Sequence, residues 1–297
     1  MTDIECIEEY ERYLREDKGA SGNTLSSYTR DIRQLSEYLA EETEHDICTA
    51  DDDDLGSYIT SLREKGKSVS TVSRCIASIK GMYTHLCINQ MLSHNPSLKL
   101  VPEKSEKNLP EILTTEEVNL LLSQPRPIDA KGIRDKAMLE LLYATGIRVS
   151  ELIDLNLSDV DLSGACIVCK GKVKDRAIPM YPEAVEALER YITLVRPQMV
   201  SNPDEAALFV NVSGERMSRQ GFWKLIKHYA ASAKIGKDIT PHTLRHSFAA
   251  HLLENGADIH SLQNMLGHVD VSSTHVYSNL VKKQLRDIYN NAHPMAL

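Results

Sequence analysis

A histidine and an arginine stand three residues apart at the start of a predicted helix, in a segment that runs from Thr240 to Gly256. Thr240 suits the helix cap, Pro241 the first helical position and Gly256 the C-terminal stop. His242 and Arg245 then share one face of the first turn. Backbone N–H groups and the positive end of the helix dipole lie there too, and a guanidinium can donate two hydrogen bonds to a phosphate. The segment predicts a phosphate site; the simpler alternative is a capping histidine and a surface arginine.

Three patterns raise the question of a metal site, and none of them is complete. His242 and His246 have zinc-protease spacing, but that motif needs a glutamate directly after the first histidine, and here a threonine follows. Cys166 and Cys169 form one C-x-x-C on a predicted strand with no second pair nearby, which favours packing. The acidic run 51–54 precedes an apolar helical pattern and favours a helix start over a magnesium site. We expect no metal and no cofactor.

One tyrosine follows these residues at a distance that allows it to reach the same phosphate. In the segment Leu-Gly-His268, Gly267 would end a helix and let His268 turn back towards the phosphate site. Tyr277 lies nine residues further on. A single tyrosine is ordinarily a core or surface residue, but its place after two histidine and arginine motifs makes it a candidate nucleophile.

The elements that would position these residues are mostly helical. Apolar residues at helical spacing predict helices over 4–16, 24–39, 55–62, 70–87, 115–123, 131–145, 148–155, 182–196 and 218–235. Two short apolar segments, 165–170 and 176–180, flank a basic turn and predict a β-hairpin. A proline-rich stretch without helical period predicts a linker over 95–110. The expected fold is mainly α with two domains: four helices over 1–94, and a mixed α+β domain over 111–297 with a small antiparallel sheet.

Composition is that of an ordinary globular protein and leaves DNA binding open. The 297 residues are 42% hydrophobic, and no apolar run is long enough to span a membrane. The acidic start does not resemble a secretory signal, and six scattered cysteines are expected to be small buried hydrophobes in a reducing cytoplasm. Net charge is −8, with 13 basic and 20 acidic residues up to position 107 and 21 against 22 beyond it. Phosphates respond to the charge near them, so the net charge of the whole chain is a poor guide to DNA binding.

The order of these motifs resembles that of the tyrosine recombinase (phage-integrase-like) family. His242-x-x-Arg245, Leu-Gly-His268 and Tyr277 occur in the family's sequence order. Upstream, the segment Ala-Thr-Gly-Ile-Arg-Val-Ser-Glu-Leu over 144–152 resembles the family's first arginine motif. The resemblance therefore adds Arg148 to the site.

The N-terminal part resembles the core-binding domain of the Xer branch of that family. The segments 21–31 and 71–80 carry the resemblance, so the match covers nearly the whole chain. It implies a four-helix core-binding (SAM-like) domain, a catalytic domain, and a DNA duplex clamped by the two. The implied DNA contacts are Thr24, Ser70, Thr71, Arg74, Lys80, Lys174, Arg219 and Gln220. Such polar residues suit phosphate positioning, and base recognition does not follow from them.

The hairpin turn departs from the family pattern, which is Gly-Lys-Gly-x-Lys-x-Arg. Here it reads Lys170-Gly-Lys-Val-Lys-Asp-Arg176. Matching Gly-Lys selects Lys172 as the site lysine, and matching Lys-Gly selects Lys170. Lys172 is preferred because it falls at the tip of the turn, and Lys174 is expected to contact the DNA backbone.

The resemblance implies a covalent mechanism without metal or ATP. The implied catalytic residues are Arg148, Lys172, His242, Arg245, His268 and Tyr277. The phenol attacks a phosphodiester to give a 3′-phosphotyrosine and a free 5′-hydroxyl, and the covalent bond conserves the energy needed for rejoining. The arginines would hold the non-bridging oxygens, both histidines would add hydrogen bonds, with His242 a candidate base, and the lysine would protonate the leaving oxygen.

The implied partner is double-stranded DNA with a specific recombination site. We expect a tetramer on two paired sites, formed by this chain alone or with a second Xer-like recombinase, and regulation by a DNA translocase of the division apparatus. A short helix over 282–289 would pack in cis or dock onto a neighbouring protomer. The expected role is resolution of chromosome dimers at dif-type sites in the cytoplasm.

Other functions fit the sequence less well. The nearest alternatives are an integrase or transposase of a mobile element and a type IB topoisomerase, which relaxes supercoils with the same phosphotyrosine chemistry. A DNA-binding protein that has lost catalysis would not retain every expected catalytic residue type. A metal-dependent nuclease would need a cluster of carboxylates that is not evident here.

Overall fold

The fold is taken from a computed structural model of the full chain, in which residues 1–103, 111–171 and 175–267 are described. The chain divides into two compact units, residues 1–107 and 108–297. Each unit has a hydrophobic core of its own. The predicted mainly α fold with two domains is confirmed.

The first unit is built from amphipathic helices. They are α1 (Asp3–Glu16), α2 (Gly22–Glu42), α3 (Asp52–Glu64) and α4 (Val69–Ile88). Leu35 and Leu39 of α2 and Ile76 and Ile79 of α4 are almost completely buried in the shared core. Their spacing of three or four residues keeps them on one face of each helix, as the sequence pattern predicts.

The aspartate run at the start of α3 caps that helix. A carboxylate oxygen of Asp51 accepts the backbone N–H groups of Asp53 and Asp54 at 2.9 Å, and the side chain of Asp54 accepts the N–H of Asp51 at 3.0 Å. This reciprocal arrangement satisfies N–H groups that have no partner within the helix. The predicted helix start is confirmed.

The second unit combines helices with one small sheet. Its helices are α5 (Thr115–Leu122), α6 (Ala130–Thr145), α7 (Val149–Asp154), α8 (Pro182–Arg190), α9 (Arg196–Met199), α10 (Arg219–Ala233), α11 (Pro241–Glu254) and α12 (Ile259–Leu266). Strands β1 (Val160–Asp161), β2 (Cys166–Cys169) and β3 (Arg176–Pro179) form an antiparallel sheet in the order β1-β2-β3. Ile167 pairs with Ile178, and both side chains are fully buried, which fixes the register of the predicted hairpin.

Helix α6 lies at the centre of the second unit. It packs against α8 and α11, and its buried residues lie on every side of the helix. Among them are a charged pair, Arg134 and Asp135, whose side chains are 2.7 Å apart; the phenol of Tyr229 also donates to Asp135 at 2.9 Å. A helix buried all round is a rigid support for the loop that follows it, which leads to Arg148.

Two features differ from the sequence-based expectation. The predicted helix over 182–196 is α-helical only to Arg190, and a wider π-helical turn runs from Tyr191 to Val195. Pro197 has no N–H to donate to the carbonyl of Thr193, so regular α-helical bonding is interrupted there. Strand β1 was not predicted, because two residues are too short to show an alternating pattern.

The cysteines are free, and they are less uniformly buried than expected. Cys6, Cys75 and Cys169 are buried, whereas the other three are half-buried. In the described parts of the chain, no helix has both the length and the apolar character that crossing a membrane requires.

Candidate active site

Arg148 is placed by the cap of a short helix. It is the residue before α7, and its backbone N–H donates to Oε2 of Glu151 at 2.7 Å. The side chain at the third helical position thus accepts the N–H of the cap residue, so the chain direction at Arg148 is fixed by a side chain one turn ahead. The side chain of Arg148 is 41% exposed and is therefore accessible to a ligand.

A left-handed glycine ends α6 two residues before Arg148. Gly146 has φ of +58° and caps the helix, and a Cβ at this position would lie 2.2 Å from a ring carbon of Phe248 on α11. Only glycine allows both the backbone conformation and this close approach. The turn therefore brings α11 directly against the segment that carries Arg148.

Arg245 is buried on α11, with 5% of its surface exposed. Its guanidinium donates to the carbonyl oxygen of Gly146 at 2.5 Å and to that of Leu266 at 2.8 Å. These two carbonyls belong to different segments, so Arg245 connects the end of α6 with the end of α12. The sequence predicts its helix and the Thr240 cap correctly.

The two arginines meet at one oxygen atom. Nη1 of Arg148 lies 3.5 Å from the carbonyl oxygen of Leu266, the same atom that accepts from Arg245. Leu266 is the last residue of α12, where carbonyl groups lack helical partners and carry the negative end of the dipole. An anionic phosphate oxygen is a stronger acceptor than a carbonyl, so two guanidiniums converging in this way can hold a phosphate.

The two histidines of α11 differ in exposure. His242, in the first turn, is exposed; His246 is half-buried, and the two ring centroids are 6.4 Å apart. Burial, together with the nearby His242 and Arg245, lowers the pKa of His246 to about 4. His246 is therefore neutral at physiological pH. Within the described residues, no three metal-ligating side chains come together.

Two charged residues at this site were not predicted to have a role. Oε1 of Glu151 accepts from Arg176 on β3 at 2.7 Å and lies 3.4 Å from Arg148. Burial alone would raise the pKa of Glu151, but the Arg148 backbone N–H and the two guanidiniums outweigh it and lower the pKa below its usual value. The spacing of Arg148 and Glu151 is that of a helix cap and can be seen in the sequence. The contact of Glu151 with Arg176 on β3 cannot, because it joins residues that are far apart in the chain.

Part of the predicted catalytic set lies outside the described residues. This holds for Lys172, His268 and Tyr277, and for the expected DNA contact Lys174. The alternative lysine, Lys170, is described: it is 67% exposed and lies 3.5 Å from a carboxylate oxygen of Asp159.

The expected DNA contacts of the first unit include two helix starts with the same geometry. Ser21 caps α2 and Ser68 caps α4, and each hydroxyl accepts the N–H of the residue three positions on, at 3.2 Å. Those residues are Thr24 and Thr71, whose own hydroxyls lie 2.9 Å from the capping serine. Ser70 lies between Ser68 and Thr71 in the sequence, and it is exposed.

Arg74 and Lys80 make contacts within the first unit. Arg74 forms an ion pair with the buried carboxylate of Asp31, and its side chain remains 38% exposed. The ammonium of Lys80 donates to the carbonyls of Leu98 and Leu100, at 3.3 and 2.9 Å. Both residues therefore contribute to the packing of this unit, which the sequence motif did not indicate.

Arg219 and Gln220 lie at the exposed start of α10 in the second unit. Ser218 caps this helix by accepting the N–H of Gly221 at 3.0 Å. Two exposed polar side chains at a helix N-terminus are compatible with contact to a phosphate backbone.

Comparison with known proteins places both units in one family. Residues 111–284 match the phage integrase family, and residues 7–89 match the phage integrase N-terminal SAM-like domain. The tyrosine recombinase XerD of Oceanobacillus iheyensis is 46% identical, covering 98% of this chain and 99% of that protein. The tyrosine recombinase XerD of Halalkalibacterium halodurans is 42% identical, covering 98% of both.

Solved structures have the same fold. A crystal structure of XerA recombinase is 28% identical with a TM-score of 0.55, covering 98% of this chain and 99% of that one. The XerH recombinase in a pre-cleavage complex with its difH substrate has a TM-score of 0.71 at 21% identity, covering 94% and 83%. The Tn1549 transposon integrase bound to circular intermediate DNA has a TM-score of 0.71 at 23% identity, covering 93% and 95%.

Proposed function

The chain belongs to the phage integrase family of tyrosine recombinases, and from that premise we propose that Tyr277 joins covalently to DNA at a phosphate held by Arg148 and Arg245. The protein is a site-specific recombinase, an enzyme that breaks and rejoins DNA. The observation that carries the residue assignment is the convergence of both guanidiniums on the carbonyl oxygen of Leu266.

The arginines supply the electrostatic part of catalysis. Attack on a phosphodiester builds negative charge on the non-bridging oxygens, and two fixed guanidiniums stabilise that charge without reorganising. Burial of Arg245 strengthens the interaction because little water screens it. The partly exposed side chain of Arg148 gives DNA access to the pair.

The covalent step needs no external energy source. The phenol oxygen of Tyr277 bonds to phosphorus, its proton passes to His242, and the bond to the 5′-oxygen breaks. Lys172 supplies the proton that this leaving oxygen takes up, and His268 donates a hydrogen bond to the phosphate. Reversal by a 5′-hydroxyl from the other duplex completes strand exchange.

The biological role proposed is that of Xer recombinases. The curated relatives named XerD match at 40–46% identity over almost the whole chain, which favours this role over integration of a mobile element. We propose chromosome dimer resolution at a dif-type site in the cytoplasm, by a tetramer on two paired DNA sites. A second Xer-like recombinase and a DNA translocase are its proposed partners.

Substitution of the nucleophile tests the assignment. Tyr277→Phe removes only the attacking oxygen, so it should abolish the covalent protein–DNA adduct while leaving DNA affinity unchanged; gel analysis of a nicked dif-type substrate measures both. Wild-type protein in EDTA serves as the companion experiment and should form the adduct at its normal rate, because cationic side chains replace a metal. An adduct that persists in Tyr277→Phe, or one that EDTA prevents, would contradict the mechanism.

A further inference from the structure

We propose that Arg176 is a positioning residue, which ties the hairpin strand β3 to the start of α7 and to the end of α12 and so holds the phosphate-binding arginines in register. This inference rests on the proposed function of Arg148 and Arg245. The side chain of Arg176 is 14% exposed, and its described contacts are with protein groups.

The first connection runs from Arg176 to Arg148 through Glu151. Nη2 of Arg176 donates to Oε1 of Glu151 at 2.7 Å, and the other oxygen of that carboxylate accepts the backbone N–H of Arg148 at 2.7 Å. Oε1 also lies 3.4 Å from the Arg148 guanidinium. A carboxylate shared in this way limits how far the Arg148 side chain can rotate, since movement breaks a charge-assisted hydrogen bond.

The second connection runs from Arg176 to the end of α12. Its Nε donates to the carbonyl oxygen of Met265 at 2.9 Å. The guanidinium also lies against Gly267, where an added Cβ would come within 2.9 Å of Cζ. Gly267 has φ of +63° and precedes His268 in the sequence. Arg176 therefore holds the end of the helix whose Leu266 carbonyl faces both Arg148 and Arg245.

Arg176 thus joins three segments that are far apart in the sequence. In the sequence, strand β3 follows Lys172, α7 follows Arg148, and α12 precedes His268. Arginine suits this task because its planar fork holds two acceptors in fixed directions, which a lysine ammonium does not. Misplacement of a reacting group by about 1 Å is enough to cost roughly 100-fold in rate.

The test compares Arg176 with Arg216, a second arginine whose guanidinium donates to backbone carbonyls. Arg216 is also half-buried and donates to backbone carbonyls, those of Ile153 and Leu155 at 2.6 and 3.1 Å, at the opposite end of α7 from Glu151. In the full-length protein, single-turnover adduct formation at saturating DNA, DNA affinity and the unfolding midpoint are measured for Arg176→Met and Arg216→Met. We expect Arg176→Met to lose about 10- to 100-fold in rate with unchanged affinity, and Arg216→Met to keep the wild-type rate.

Two further variants separate positioning from general stability. Arg176→Lys retains the charge and should recover only part of the rate, since it cannot bridge Glu151 and Met265 together. Glu151→Gln combined with Arg176→Met should lose less than the product of the two single losses, because the two residues act as one unit.

Three results would overturn the proposal. Wild-type rates in both Arg176 variants would show that the residue positions nothing. Equal rate losses in Arg176→Met and Arg216→Met, in step with their unfolding midpoints, would reduce it to a structural role. Weaker DNA affinity with an unchanged saturated rate would make it a DNA contact. Failure of the wild-type protein to form an adduct at Tyr277 would instead refute the proposed function itself, and this inference with it.

Discussion

A guanidinium as buried as that of Arg245 is costly unless its environment satisfies it. The carbonyls of Gly146 and Leu266 accept from it at 2.5 and 2.8 Å. Because arginine does not lose its proton in proteins, this position keeps a permanent positive charge close to the carbonyl that Arg148 also approaches. The charge is in place before DNA arrives, and such preorganisation is what electrostatic catalysis requires.

The neutral His246 next to that charge makes stability depend on pH. Its pKa is about 4 in the folded protein, against 6.5 for an ordinary histidine, because of burial and the nearby His242 and Arg245. The unfolded chain therefore binds the proton more readily, and stability is lost as pH falls from about 6.5 towards 4. His246→Gln should make the free energy of unfolding depend less on pH over this range, as measured by denaturant titration at several pH values. If the variant and wild-type curves stay parallel there, the assigned protonation state is wrong.

The helix ends do most of the positioning at the scale of elements. The end of α6, the start of α7 and the end of α12 converge near the two arginines, and the sequence predicts the last of these, the stop at Gly267, because caps have local spacing rules. The start of α11 at Thr240 and Pro241 and its stop near Gly256 are predicted by the same rules. Arg148 was reached only through family resemblance, since a lone arginine before a helix has no distinctive pattern. Glu151 and Arg176 were missed because their contact joins residues 25 positions apart.

Gly146 is the position where an element end is most sensitive to substitution. Gly146→Ala would force a left-handed backbone on alanine and place its Cβ 2.2 Å from Phe248. We expect a loss of about 2 kcal/mol or more in the free energy of unfolding. The matched control is Gly236→Ala in the same unit, where an added Cβ meets nothing within 4 Å. Denaturant unfolding of both variants measures the difference, and equal stabilities would show that α6 does not end as described.

At the scale of the whole molecule, charge is distributed unevenly along the chain. The first 107 residues carry 13 basic and 20 acidic side chains, and the remaining residues carry 21 and 22. The acidic total did not prevent a DNA-acting function, because the second unit brings Arg148 and Arg245 together at the carbonyl oxygen of Leu266, while the carboxylate of Glu151 is shared by Arg148 and Arg176. The local field at such a cluster governs phosphate binding.

The most direct test of the account is to identify the residue that becomes joined to DNA. Protein trapped on a nicked dif-type duplex can be digested with nuclease and trypsin and analysed by mass spectrometry. Trypsin cleaves after Arg245 and Lys282, and the intervening peptide contains one tyrosine, Tyr277. We predict that the nucleotide mass lies on this peptide, at that tyrosine. Nucleotide attached to a peptide without Tyr277 would contradict the central claim.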